Sequence, residues 1–160
     1  MTDYHRIPEF PKEVSATAIL TRMFDGLGFR FNWATHGLSE PDYQFRPSPD
    51  SMSIHEVTHH VWGLVNWVSI SLTGVSYPLP NESEAFREAA LGIIHDLHVS
   101  LESMSDEELS GKEIEGKPFW YMINGPISDA LTHVGQINSF RRLAGNPTPG
   151  ANVFIGEPPK

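Results

Sequence analysis

Residues 53–74 read Ser53-Ile-His-Glu-Val-Thr-His-His-Val-Trp-Gly-Leu-Val-Asn-Trp-Val-Ser-Ile-Ser-Leu-Thr-Gly74. Ser53 and Glu56 have the Ser-x-x-Glu spacing of a capping box, in which two side chains satisfy backbone N–H groups at a helix start. Gly74 supplies a stop. Between them, at about 100° per residue, Ile54, Val57, Val61, Leu64, Val65, Val68 and Leu72 gather on one arc. The stretch is an amphipathic helix with one face built for a core.

The same pattern extends outward. Ser15 is a plausible cap for a first helix in which Ala18, Ile19, Met23, Leu27, Phe31 and Ala34 recur at three- and four-residue steps, ending near Gly37. Pro41, Pro47 and Pro49 make residues 39–50 a loop. A third helix starts at Asn81 or Ser83 and runs to about Met104. A polar connector follows over residues 105–117, where Gly111 and Gly116 suggest a turn or a short extended piece. Residues 119–124 are a short helical lead-in, broken at Gly125-Pro126. A fourth helix spans residues 127–144, with Gly145 in the C′ place. Pro8 and Pro11 at one end, and Pro147, Pro149, Pro158 and Pro159 at the other, mark irregular tails. Four long helices without a convincing strand pattern predict an all-α four-helix bundle, one domain over residues 1–160.

Composition narrows the function classes. The chain has 160 residues, 39% hydrophobic and 19% charged, a globular balance that argues against long disorder. Its net charge is −9, with 11 Lys and Arg, which disfavours a nucleic-acid duplex or an anionic membrane as partner. The absence of cysteine excludes disulfides, thiolate ligands and a cysteine nucleophile, and fits a reducing compartment. Residues 1–11 lack the apolar core of a signal peptide, and no apolar run approaches the ~20 residues of a membrane span. A cytoplasmic protein is expected.

Three of the 8 histidines fall within six residues. His55-Glu-Val-Thr-His59 matches His-Glu-x-x-His, in which two histidines one turn apart bind zinc and the glutamate is general base. Helix geometry opposes that chemistry here. His59 points away from the apolar arc and His55 lies well off it, so both are expected on the solvent face. Trp62 and Val65 replace the Gly and His of the extended motif. His60, at the edge of the arc beside Val57 and Leu64, is the histidine aimed into a bundle.

On the fourth helix, Asp129 and His133 are four residues apart, so both side chains can reach one ion. With a histidine from the second helix they would form a two-His, one-carboxylate set with open positions, suited to Fe, Mn, Ni or Zn. The spacing alone is met equally by an intrahelical Asp–His contact at a polar helix edge.

Two segments carry a family resemblance. Arg46-Pro-Ser-Pro-Asp-Ser-Met-Ser-Ile-His-Glu-Val-Thr-His-His60-Val is similar to the Pro-rich approach and Ser-Ile-x-Glu-Leu-x-x-His start of helix two in the DinB/YfiT-like metal-binding bundles. Asp129-Ala-Leu-Thr-His133-Val-Gly-Gln-Ile137, followed by Arg141-Arg-Leu-Ala-Gly-Asn-Pro147, resembles their helix-four pattern His-x-x-x-His-x-Gly-Gln-Ile. The resemblance implies an up-down-down-up-type bundle. It implies a divalent-metal site with His60 and His133 as ligands, and with Asp129 standing where the family usually has a histidine. It further implies a homodimer and a metal-dependent transferase, isomerase or hydrolase of a small molecule, with a low-molecular-weight thiol as a candidate co-substrate. The other reading is a non-catalytic or structural bundle whose metal site has degenerated.

Other residues have ordinary readings beside functional ones. Trp62, Trp67, Trp120 and Tyr121 could line a pocket or simply pack. Gln136 could orient a bound water or substrate, or make a helix-end contact. Gly135 would permit close helix approach. Arg141 and Arg142 could hold an anion, or favour the helix C-terminus. His95 and His98, three apart, are read as surface or boundary residues, and His36 as a surface residue near a helix end.

Overall fold

A computed structural model describes residues 4–160. Residues 1–3, assigned from the sequence to the N-terminal tail, lie outside the described residues. In chain order the chain forms α1 (Ala16–Thr35), α2 (Glu40–Gln44), α3 (Ile54–Thr73), α4 (Ser83–Glu102), α5 (Asp106–Ser110), β1 (Glu113–Ile114), β2 (Lys117–Pro118), α6 (Trp120–Met122), a π-helical turn (Ile123–Ile127) and α7 (Ser128–Leu143). The protein is all-α in class, and among the described residues its strands form one short hairpin of two residues a side. α1 packs chiefly on α4 and α7, and so does α3. Around the core the long helices therefore run α1, α4, α3, α7. α1 and α3, consecutive in the chain, face each other across the core rather than side by side.

The α3 reading holds in detail. Ser53 Oγ accepts from the Glu56 N–H, and Glu56 accepts from the Ser53 N–H at 2.7 Å. Gly74 closes the helix at φ +78°, a left-handed conformation natural to glycine. All seven residues of the apolar arc are buried. They join Leu20, Phe24, Leu27 and Phe31 of α1, Ile93, Ile94 and Leu97 of α4, and Ala130, Val134 and Ile137 of α7 in one continuous core.

Several expectations change. The stretch 39–50 contains α2, capped by a Ser39/Asp42 box, because Pro41 falls in the first turn where its missing N–H costs nothing. The 105–117 connector contains α5, capped by Ser105 and Glu108, before the expected short extended piece. In α1 the stripe begins one residue later than its apolar spacing suggested: Leu20 is buried and Ile19 is 54% exposed. α1 also has a second buried face, made of Thr17, Thr21, Asp25, Gly28 and Asn32. The N-terminal tail covers part of it. The Tyr4 ring lies against Gly28, where an added Cβ would approach to 2.7 Å. Asn32 donates to the Tyr4 carbonyl, and Trp33 to that of His5. The Ile7 N–H donates to the Gly156 carbonyl, tying the two tails together. Gly135 has open space where a Cβ would stand, so it does not mediate close helix approach.

Both ends of α1 are closed by distant side chains. Asp106 of α5 accepts from the Ala16 and Thr17 N–H groups at 3.0 and 2.9 Å and from the Thr17 hydroxyl. At the other end lies Arg141, read from the sequence as an anion holder or a charge favouring its own helix C-terminus, and only 2% exposed. Its Nη1 donates to the Trp33, Ala34 and His36 carbonyls, and its Nε and Nη2 donate to the backbone and side-chain oxygens of Asn146. Arg142, by contrast, is exposed at the C-terminus of α7.

Two outcomes follow from these closures. Arg141→Ala strands several buried carbonyls, each costing about 1–3 kcal/mol when unpaired. The unfolding free energy from urea titration should fall by about 3 kcal/mol or more, and Arg141→Lys, which keeps charge but loses the planar fork, should fall between. The Thr17 and Ala16 N–H groups hold the Asp106 carboxyl below its ordinary value of about 3.9. A depressed folded value means the stabilisation is complete above the ordinary value and is lost as pH falls through the folded one. The stability gap between the protein and Asp106→Asn should therefore be constant at neutral pH and close below about pH 4.

Candidate metal centre

Three side chains converge where α3 meets α7. His60 Nε2 lies 3.3 Å from Asp129 Oδ2, although the residues are 69 apart in sequence. His133 Nε2 lies 3.4 Å from Asp129 Oδ1. The two imidazoles meet edge to face, with centroids 4.6 Å apart. One donor atom from each of the three lies within 4.8 Å of the others, so the group could hold a metal ion. Two donors ~2.1 Å from one metal stand about 3.0–3.4 Å apart at octahedral or tetrahedral angles; the His60–Asp129 and His133–Asp129 separations of 3.3 and 3.4 Å fall there, each on its own carboxylate oxygen.

Local sequence explains each position. The Ser53 cap and the buried arc set the rotation of α3, leaving His60 at the arc's edge with its side chain 42% exposed. On α7 the register is set by the kink at Gly125 (φ −92°, ψ −107°) and by the burial of Pro126 and Ile127. Ala130, Val134 and Ile137 face the core. That leaves Asp129 and His133 one turn apart on the flank toward α3, 45% and 17% exposed.

His133 is oriented from behind. Its Nδ1 donates to Gln136 Oε1 at 2.8 Å, so Nε2 keeps its lone pair and points at the Asp129 side. A ligating histidine held through its other ring nitrogen is the usual arrangement in metal sites, because it sets tautomer and ring angle together. Gln136 thus acts on the imidazole, where the sequence suggested a water or substrate, or a helix-end contact. The signal was the i, i+3 spacing.

The His-Glu-x-x-His stretch is otherwise occupied. Glu56 caps α3 and pairs with Arg46 at 2.7 Å. Its N–H bond from Ser53, helped by Arg46, holds its carboxyl below the usual range, fit for a cap. His55 is half-buried rather than solvated: its Nδ1 lies 2.8 Å from Ser83 Oγ, and its ring edge meets Phe86. His59 is exposed as expected, its ring tilted against that of Phe86 with centroids 4.5 Å apart. Burial of its ring pushes its pKa down, with His55 and His60 adding to the effect.

Of the aromatic candidates, Trp62 is buried in the core and Trp67 is 37% exposed. Trp120 and Tyr121 are mostly exposed, and Trp120 lines a small groove with Leu109 and Pro118. His36 lies exposed at the end of α1. His98 sits at the boundary, one of the two places its reading allowed, with a partner the sequence did not reveal. It is 15% exposed and pairs with a fully buried aspartate, Asp25 of α1, which sequence reasoning missed. The available signal was the polar series Thr17, Thr21, Asp25, Asn32 at near-helical spacing, too hydrophilic to be taken for a buried face.

Competing histidines can be separated by substitution. His55→Ala combined with His59→Ala should leave Zn and Ni affinity, measured by calorimetric titration, within about twofold, whereas His60→Ala should weaken it at least about tenfold. The reverse pattern would assign the ion to the His-Glu-x-x-His pair. No family model, no curated protein and no solved structure matches the chain.

Proposed function

We propose that His60, Asp129 and His133 bind one divalent transition metal and that the protein is a DinB/YfiT-like, up-down-down-up four-helix bundle. The observation that carries the site is the meeting of two imidazoles and a carboxylate from two helices, His60 and Asp129 being 69 residues apart, with Gln136 holding His133 in the ligating tautomer. The topology is supported by the diagonal placement of α1 and α3, which a simple up-down-up-down ring does not have. Zn, Ni, Fe and Mn all suit a two-His, one-carboxylate set.

Three protein donors leave coordination positions open, and a metal bound there would supply Lewis-acid polarisation or an activated water or thiol. The chain's own contribution is to hold the imidazoles at fixed angles on two packed helices and to balance part of the metal's charge with Asp129. The function this arrangement supports best is metal-dependent transfer, isomerisation or hydrolysis of a small molecule, with a low-molecular-weight thiol as a candidate co-substrate. We read the protein as a cytoplasmic, single-domain homodimer. Among the described residues no helix is long and apolar enough to cross a membrane.

One observation favours a second reading. Asp129 offers a separate oxygen to each imidazole, 3.3 and 3.4 Å away, so the triad can also be a hydrogen-bonded surface cluster in a degenerate, non-catalytic site.

The two readings part on metal content. Elemental analysis of the purified protein should give about one metal per chain, falling sharply in His60→Ala and Asp129→Ala. Free metal at about one hundred times Kd should stabilise the protein against urea by about 2.7 kcal/mol, with no such gain in either variant. Gln136→Leu should weaken binding by about 10–100-fold while leaving the fold intact. Equal metal in the protein and both ligand variants would rule the site out.

A further inference from the structure

On the opposite side of the ring, where α1 meets α4, a groove of about 550 Å³ opens beneath the end of the N-terminal tail. It is of the size that takes small-molecule ligands. Asp25 and His98 line it together, and Glu102 stands beside them. The Asp25 carboxylate is 1% exposed. Its Oδ1 meets His98 Nδ1 at 2.8 Å, and its Oδ2 is buried with no hydrogen-bond partner in the protein. His98 Nε2 in turn lies 3.4 Å from Glu102 Oε1. A buried carboxylate oxygen without a donor is costly, and sites that keep one are usually built around something that supplies it.

The walls say what that something is. Glu9, Glu13, Asp25 and Glu102 line the groove against a single ammonium group, that of Lys12. Phe10, Pro11 and Leu101 add apolar surface, and Phe10 is 78% exposed. Asp25, His98 and Glu102 are not among the groups whose donors converge closely enough to hold a metal ion; that geometry occurs at His60, Asp129 and His133. A small ammonium ion fits better. Its N–H groups supply donors to a buried carboxylate, its charge is balanced by the acidic walls, and its hydrocarbon body rests on the apolar ones.

We propose that the α1/α4 groove is a binding site for a small primary ammonium ion with an apolar body, held by Asp25 at the floor and Glu102 at the wall. The site is independent of the metal centre. Burial raises the Asp25 pKa, while the His98 imidazole and the Arg22 guanidinium pull it down.

The probe is phenethylammonium, titrated into isotope-labelled protein while amide chemical shifts are followed. Saturable shifts should concentrate at residues 17–25 and 98–102, with phenethyl alcohol, the neutral analogue, binding at least about tenfold more weakly. Asp25→Asn, which keeps shape but removes the charge, should weaken phenethylammonium at least about tenfold, Glu102→Gln by a smaller factor, and His60→Ala not at all. If Asp25→Asn does not fold, the ammonium-to-alcohol ratio in the unmutated protein and the exposed Glu102→Gln variant decide. Equal binding of the alcohol, shifts centred elsewhere, or no saturable shift would each overturn the proposal.

Discussion

The helix Ala16–Thr35 ends in backbone groups that its own turns cannot satisfy, and the far half of the chain closes both ends. Asp106 takes the N–H groups of Ala16 and Thr17, while Arg141 takes the carbonyls of Trp33, Ala34 and His36. Each is a charged group meeting the end of the helix dipole that favours it. Arg141 is also buried, and Asn146 and the carbonyls at the end of α1 take hydrogen bonds from each of its three guanidinium nitrogens. The connection spans 107 residues between Ala34 and Arg141. It joins α1 and α7, two neighbours in the ring, and thereby sets where α7 stands relative to the other helices.

The candidate metal centre depends on that placement. His60 belongs to α3, and Asp129 and His133 to α7, so the distances among them are set by how these two helices pack. Nothing within either helix fixes the separation. The kink at Gly125-Pro126 and the burial of Ile127 turn α7 so that its apolar residues meet the core and its Asp–His pair faces α3. Gln136 then fixes the ring of His133 without touching the carboxylate. Asp129 is the group on which both imidazoles converge.

The two polar clusters of the molecule are built differently. The α3/α7 cluster is partly exposed, each imidazole facing its own carboxylate oxygen. The α1/α4 cluster is buried at its base, and one oxygen of Asp25 is left without a donor. The N-terminal tail makes the difference, because it lies over a face of α1 that would otherwise meet water. Thr17, Thr21, Asp25 and Asn32 can be polar and buried together only because backbone and side-chain partners reach them there.

Much was legible along the chain. The Ser53–Glu56 box, the arc from Ile54 to Leu72, Gly74, Gly125-Pro126 and Gly145 delimit the helices, since caps, breakers and periodicity act within a few residues of one another. The same local geometry set His55 and His59 aside and turned His60 toward the core edge, and it put Asp129 and His133 on one face. What the chain could not display was long-range. The cap that Asp106 makes on α1, the burial of Arg141, the Asp25–His98 pair and the tail over Gly28 each join residues far apart in sequence. A polar side chain looks the same in a sequence whether water or a distant helix end satisfies it, and only the packed structure decides which.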